Sequence, residues 1–192
     1  MKRVFIGVPL PEDIVKSLLV LQSGLPGVRL VGSENLHLTL RFIGVVDEPQ
    51  LGVLDSLLSK LEFEEFLLQL EGVGVFPFRG SPKVIWAGLS LNPSLKKFQA
   101  LIESKCRSAG LKPESRNYYP HITVGRVKCP RQNEISSWLE RHRMFKSRNF
   151  FLDHFVIFQS ILNSAGSIYN PIFDYKLAIN HELHDFDRKE YL

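Results

Sequence analysis

The 192-residue chain is long enough to bury a sizeable core, and its 44% hydrophobic and 23% charged residues exclude a disordered polymer. Its longest apolar runs, Leu18–Leu21 and Phe155–Phe158, are too short to cross a bilayer. Two cysteines, Cys106 and Cys129, exclude a disulfide framework and point to a reducing cytoplasm, while a net charge of +4 suits an anionic partner without establishing one.

The predicted elements run as follows. Val4–Val8 reads as a first strand and not as a secretory signal, because the apolar stretch stops at Pro9. Pro11-Glu12-Asp13 opens a helix, since proline fits the first turn and acids favour its positive end; it ends near Gly24. Strands follow over Val28–Val31 and Leu36–Ile43, then a helix over Pro49–Leu61 and strand structure over Phe66–Val75. Val84–Leu89 reads as a strand. Asn92-Pro93 opens a helix that reaches Ala109 and stops at Gly110. Tyr119–Val127 is predicted as a strand, Gln132–Arg143 as a helix and Phe150–Ser160 as one more strand. No linker separates domains, so residues 1–192 are expected to form a single domain. Strand, helix and strand recur in the same order in each half, and Val4 to His37 spans 33 residues where Val84 to His121 spans 37. That recurrence suggests an internal duplication with two pseudo-symmetric lobes.

One motif is repeated. His37-Leu38-Thr39-Leu40 stands in the first half and His121-Ile122-Thr123-Val124 in the second, and Thr39 and Thr123 are the only threonines in the chain. Strand alternation turns His and Thr to one face and the apolar pair to the other, so each half offers an imidazole beside a hydroxyl on a rigid element. Imidazole titrates near neutrality, so one ring can take a proton from a nucleophile while the other donates one to a leaving group. Hydroxyls suit the charge that builds on phosphate oxygens. No residue cluster has the spacing of a zinc site; no metal and no cofactor are expected, and His181-Glu182-Leu183-His184-Asp185 reads as a polar tail.

These motifs and their context resemble the 2H phosphoesterases, specifically the RNA 2′,3′-cyclic phosphodiesterases also called 2′-5′ RNA ligases. The resemblance extends over Phe5-Ile6-Gly7-Val8, Asn35 to Gly44, Gly72 to Pro77, Val84 to Leu89 and Pro120 to Arg126, with Ser160 to Tyr169 similar to the last strands. It implies an α+β, bilobal 2H phosphoesterase fold: two pseudo-symmetric, intertwined lobes of antiparallel sheet, helices on the outer faces and a central groove. It implies hydrolysis of an RNA 2′,3′-cyclic phosphate end to a 2′-phosphomonoester, with RNA or a related nucleotide as partner. His37 is then the proton donor and His121 the acceptor, with Thr39, Thr123 and Arg126 on the phosphate. Two other readings stay open, a nucleotide-binding module without turnover and RNA end joining as the reverse reaction. No membrane and no obligate protein partner are expected, and a monomer suffices.

Several side chains have two readings at this stage. Strict alternation turns Arg126 away from His121, so its role needs a bulge or twist at Gly125. Arg41 has the parity to join His37 on the groove face, and a solvent-exposed rim is the alternative. Phe42 faces away from His37 by the same rule. Phe76, Phe78, Tyr118 and Tyr119 read as core packing before a base-stacking surface. Arg79 and Arg116 precede motif segments and are candidates to line the groove. Arg141-His142-Arg143 with Lys146 and Arg148 reads as a solvated helix end.

Overall fold

In a computed structural model, residues 1–25, 27–129, 132–163 and 166–183 are described. The elements run β1 (Lys2–Pro9), α1 (Glu12–Leu21), β2 (Val28–Leu30), β3 (His37–Val46), α2 (Glu48–Leu58), β4 (Phe66–Phe76) and β5 (Val84–Leu89). They continue through α3 (Pro93–Ser108), β6 (His121–Val127), α4 (Gln132–His142), β7 (Lys146–Leu152), β8 (His154–Asn163) and β9 (Gly166–Lys176). The class is α+β, and every pair of neighbouring strands in the two sheets is antiparallel.

Helix ends follow local chemistry. The Asp47 carboxylate accepts from the Gln50 amide at 2.8 Å at the start of α2, and the Asn92 side-chain oxygen accepts from the Leu95 amide at 2.9 Å at the start of α3. Each such cap stabilises its helix by about 1 kcal/mol. Buried residues recur at helical spacing: Ile14, Leu18 and Leu21 on α1; Leu51, Leu54 and Leu58 on α2; Leu95, Phe98, Ile102 and Cys106 on α3.

The first sheet has the order β3-β1-β8-β9 and the second β2-β6-β5-β4-β7. Matching β3 with β6 and β1 with β5 makes the two orders equivalent, with β2 added outside β6. The halves of the chain are interleaved: α1 packs against β7 of the second sheet, α3 packs against β3 of the first, and β8 and β9 complete the first sheet from the far end of the sequence. The Trp138 indole N–H on α4 donates to the Leu21 carbonyl on α1 at 3.1 Å.

One boundary differs in kind from its expectation. The predicted strand over Phe150–Ser160 is two strands in different sheets, β7 and β8, which change course at Asp153. The surrounding sequence is apolar on both sides of that corner, so hydrophobic pattern alone does not mark it. Arg148 belongs to β7 and forms an ion pair with Asp13 of α1, which removes it from the solvated helix end where it was placed. Of the polar tail, His184 and Asp185 lie outside the described residues, as do Ser164 and Ala165 of the last-strand segment.

Candidate active site

The two motif strands carry the same irregularity. β3 pairs Thr39 with Gly7 and Arg41 with Ile6, so Leu40 is an extra residue against β1. β6 pairs Thr123 with Trp86 and Gly125 with Ile85, so Val124 is an extra residue against β5. Each is a β-bulge three residues beyond the histidine. A bulge places two consecutive side chains on one face and inverts the parity that follows. Leu38, Leu40 and Arg41 are therefore all buried, as are Ile122, Val124 and Gly125. Each buried Leu, Ile or Val here stabilises the fold by about 1.5–3 kcal/mol.

The inversion brings Arg126 back to the groove face, the result its expected role required. It also corrects two readings. Phe42 does not face away from His37: it is 54% exposed and lines the same cleft. Arg41 is neither on the groove face nor on a solvent rim. Only 7% exposed, it donates to Glu103 of α3 and to the Phe42 and Lys112 carbonyls, with Glu114 3.6 Å away. A buried guanidinium persists only when charge and donors are satisfied, and here it fastens β3 to α3 and the loop beyond.

A cleft of about 220 Å³ lies between the sheets, and His37, Thr39, His121, Thr123 and Arg126 all line it. The imidazoles are held alike. His37 Nδ1 lies 2.7 Å from the Asn35 carbonyl and His121 Nδ1 lies 2.7 Å from the Tyr119 carbonyl. A carbonyl only accepts, so both Nδ1 atoms carry hydrogen and both Nε2 atoms are left for chemistry. His37 Nε2 is 3.1 Å from the Thr39 hydroxyl. Gly7 lies beside His37, where a Cβ would come within 3.3 Å of its ring and 3.0 Å of the Leu38 carbonyl.

Both rings are biased to the neutral form. Burial is the main cause for His37, and the positive charges of His121 and Arg126 add to it against the Asn35 carbonyl, which takes it to about 4. That charge effect reaches from the second sheet to the first. Burial also lowers His121, opposed by the Tyr119 carbonyl. Aromatic rings wall the site on both sides. The Phe5 centroid is 4.8 Å and the Tyr169 centroid 5.1 Å from His37, and Phe76 is 4.9 Å from His121. Phe78 and Tyr119, expected in the core, are 65% and 46% exposed and meet edge to face at 5.3 Å.

A family model, the LigT-like phosphoesterase, matches residues 8–86 and again 90–169, each stretch holding one His-x-Thr motif. The chain belongs to the LigT-like phosphoesterase family. It is 34% identical over 174 residues to an RNA 2′,3′-cyclic phosphodiesterase of Archaeoglobus fulgidus, covering 88% of this chain and 97% of the relative. It is 32% identical to one of Methanocaldococcus jannaschii, covering 88% and 98%. The structure of E. coli LigT complexed with 3′-AMP has the same fold, with a TM-score of 0.75 at 24% identity and coverage of 92% and 98%. The bilobal 2H fold expected from the sequence is thus the fold of this LigT-like phosphoesterase.

Among the described residues of this family member, no three His, Cys, Asp or Glu side chains stand close enough to hold a metal ion. No helix there is long and apolar enough to cross a membrane. Neither Arg79 nor Arg116 lines the cleft, and Arg116 instead binds Glu114 at 3.0 Å. Cys106 is buried, with its thiol pushed up to about 12 chiefly by burial, and Cys129 is exposed. Sequence reasoning missed Arg29, Ser167 and Tyr169 as cleft residues. Arg29 pairs with a strand from the other half of the chain, a register that no local pattern announces.

Proposed function

We propose that the chain hydrolyses the 2′,3′-cyclic phosphodiester ends of RNA to 2′-phosphomonoesters by metal-free acid–base catalysis between His37 and His121. The carrying observation is that two imidazoles, one from each lobe and with Nδ1 tied to a carbonyl, line one cleft. Water attacks phosphorus as its proton passes to Nε2 of His121. The bond from phosphorus to O3′ breaks, and O3′ takes the proton held on Nε2 of His37, leaving the phosphate on O2′. Thr39, Thr123 and Arg126 donate to the non-bridging oxygens as negative charge grows on them. A phosphate anion entering between the rings favours their charged form and so returns His37 to the protonated state this role needs. The names of the relatives support the substrate, and the family resemblance supports the order of the two histidines. Because each lobe of one chain supplies one imidazole, the enzyme works as a monomer; the sparse cysteine content supports a cytoplasmic setting.

The test is a short oligoribonucleotide ending in a 2′,3′-cyclic phosphate, incubated with protein in excess EDTA, with the product's phosphate located by NMR. A 2′-phosphate is expected. An unopened ring, with folding verified by circular dichroism, refutes the reading.

A further inference from the structure

β2 is the strand of the second sheet without a counterpart in the first, and it places one cation in the cleft. Arg29 on β2 stands directly opposite Arg126 on β6 in antiparallel register. Residues so paired share a face with their Cβ atoms close together, and like charges there repel. Among the described residues neither arginine has a carboxylate within ion-pair distance. Glu34 also lines the cleft, but it accepts from Ser33 at 3.4 Å and from Asn35 at 2.9 Å. Two guanidinium groups side by side, neither of them in an ion pair with a described residue, make a site for more negative charge than one phosphate monoanion carries.

The two arginines point to different parts of a substrate. Arg126 follows His121 and Thr123 on the same strand and lines the cleft with them, which in the hydrolase reading sets it on the reacting phosphate. Arg29 lies one strand further out, on the edge of the sheet. Its guanidinium reaches toward the β8–β9 hairpin of the other lobe, with Nη1 3.7 Å from where a Cβ on Gly166 would sit. β2 is itself seated by a missing side chain, since a Cβ on Gly125 would come within 2.4 Å of Val28 Cγ1. From these positions we infer that Arg29 binds a second phosphate, the one on the 5′ side of the terminal nucleotide. The inference rests on the hydrolase reading and narrows it: the preferred substrate carries a 5′ phosphate or phosphodiester, and a bare nucleoside 2′,3′-cyclic phosphate is a poor one.

The test compares three substrates on the wild-type protein and Arg29→Ala. They are a nucleoside 2′,3′-cyclic phosphate, the same compound with a 5′ phosphate, and a dinucleotide with a cyclic phosphate end. On wild type the second and third exceed the first in kcat/KM. In Arg29→Ala that preference falls by about tenfold to a hundredfold, the scale of a lost charge-assisted hydrogen bond, and the change lies in KM. The dinucleotide's salt dependence also flattens by about one ion. A preference that survives the substitution, or an equal loss on all three substrates, overturns the inference; the latter would put Arg29 on the reacting phosphate. Calorimetric affinities for a nucleoside 2′-phosphate with and without a 5′ phosphate read the same split without turnover. If wild type opens none of the cyclic phosphates, the hydrolase reading fails, and the binding comparison still decides Arg29.

Discussion

The positions four and five beyond the histidine are Arg41 and Phe42 in one lobe and Gly125 and Arg126 in the other. The backbones match, each with a bulge one residue past the threonine, each with the imidazole tied to the carbonyl two residues before it. The side chains do not. In the first lobe the buried position is filled by a guanidinium that fastens β3 to α3, and the groove position by an exposed phenyl ring. In the second the buried position is empty of side chain so that β2 can close in, and the groove position carries the cation. A duplicated scaffold has thus been divided between an apolar wall and an electrostatic one. On the proposed mechanism each side supplies a histidine and a threonine, but only one side supplies a cation next to the threonine in the cleft.

The comparison can be broken at three places. The largest effect is expected at what the lobes share: His37→Ala and His121→Ala should each lower kcat by about 10²–10⁴-fold with the fold intact, and the double variant should be little worse than either. Strictly additive losses in single-turnover assays would mean that the rings do not act as one unit. Next comes what they do not share. Arg126→Ala should reduce kcat by about 10²–10³-fold, as loss of a transition-state donor does. Phe42→Ala should instead raise KM by about tenfold, as expected for a ring that supports a base. Similar kcat losses in the two variants would erase the distinction between walls. The smallest effect is on pH dependence. Both imidazoles are held below the ordinary value of 6.5, His37 at about 4, and the proposed acid–base pair works with one proton shared between them. kcat/KM, which reports the free protein, should rise and fall around a maximum on the acid side of 6.5, and kcat should peak at higher pH because bound phosphate restores the protonated form. A flat profile from pH 4 to 9 would contradict the pairing.

The histidines, the threonines and the lobed α+β plan were legible because strand alternation is local and the motif occurs twice. The bulges were not. Leu40 and Val124 continue an apolar alternation that looks regular in the chain, and only the partner strand reveals one residue too many. Those two extra residues decided three side chains: Val124 brought Arg126 back to the groove, and Leu40 brought Phe42 to it and took Arg41 away. The corner at Asp153 and the position of Arg29 were hidden for a related reason, since each depends on which sheet a segment joins.

The interleaving of the halves bears on how the protein is made. The strand that begins the chain, β1, lies between β3 and β8, and β8 is followed only by β9 among the described strands. During synthesis the first sheet stays open on one side until β8 and β9 have left the ribosome. His37 then lacks Phe158 and Tyr169, two of the rings around it. Neither histidine meets its partner in a half-made chain, so a nascent fragment lacks the shared cleft altogether.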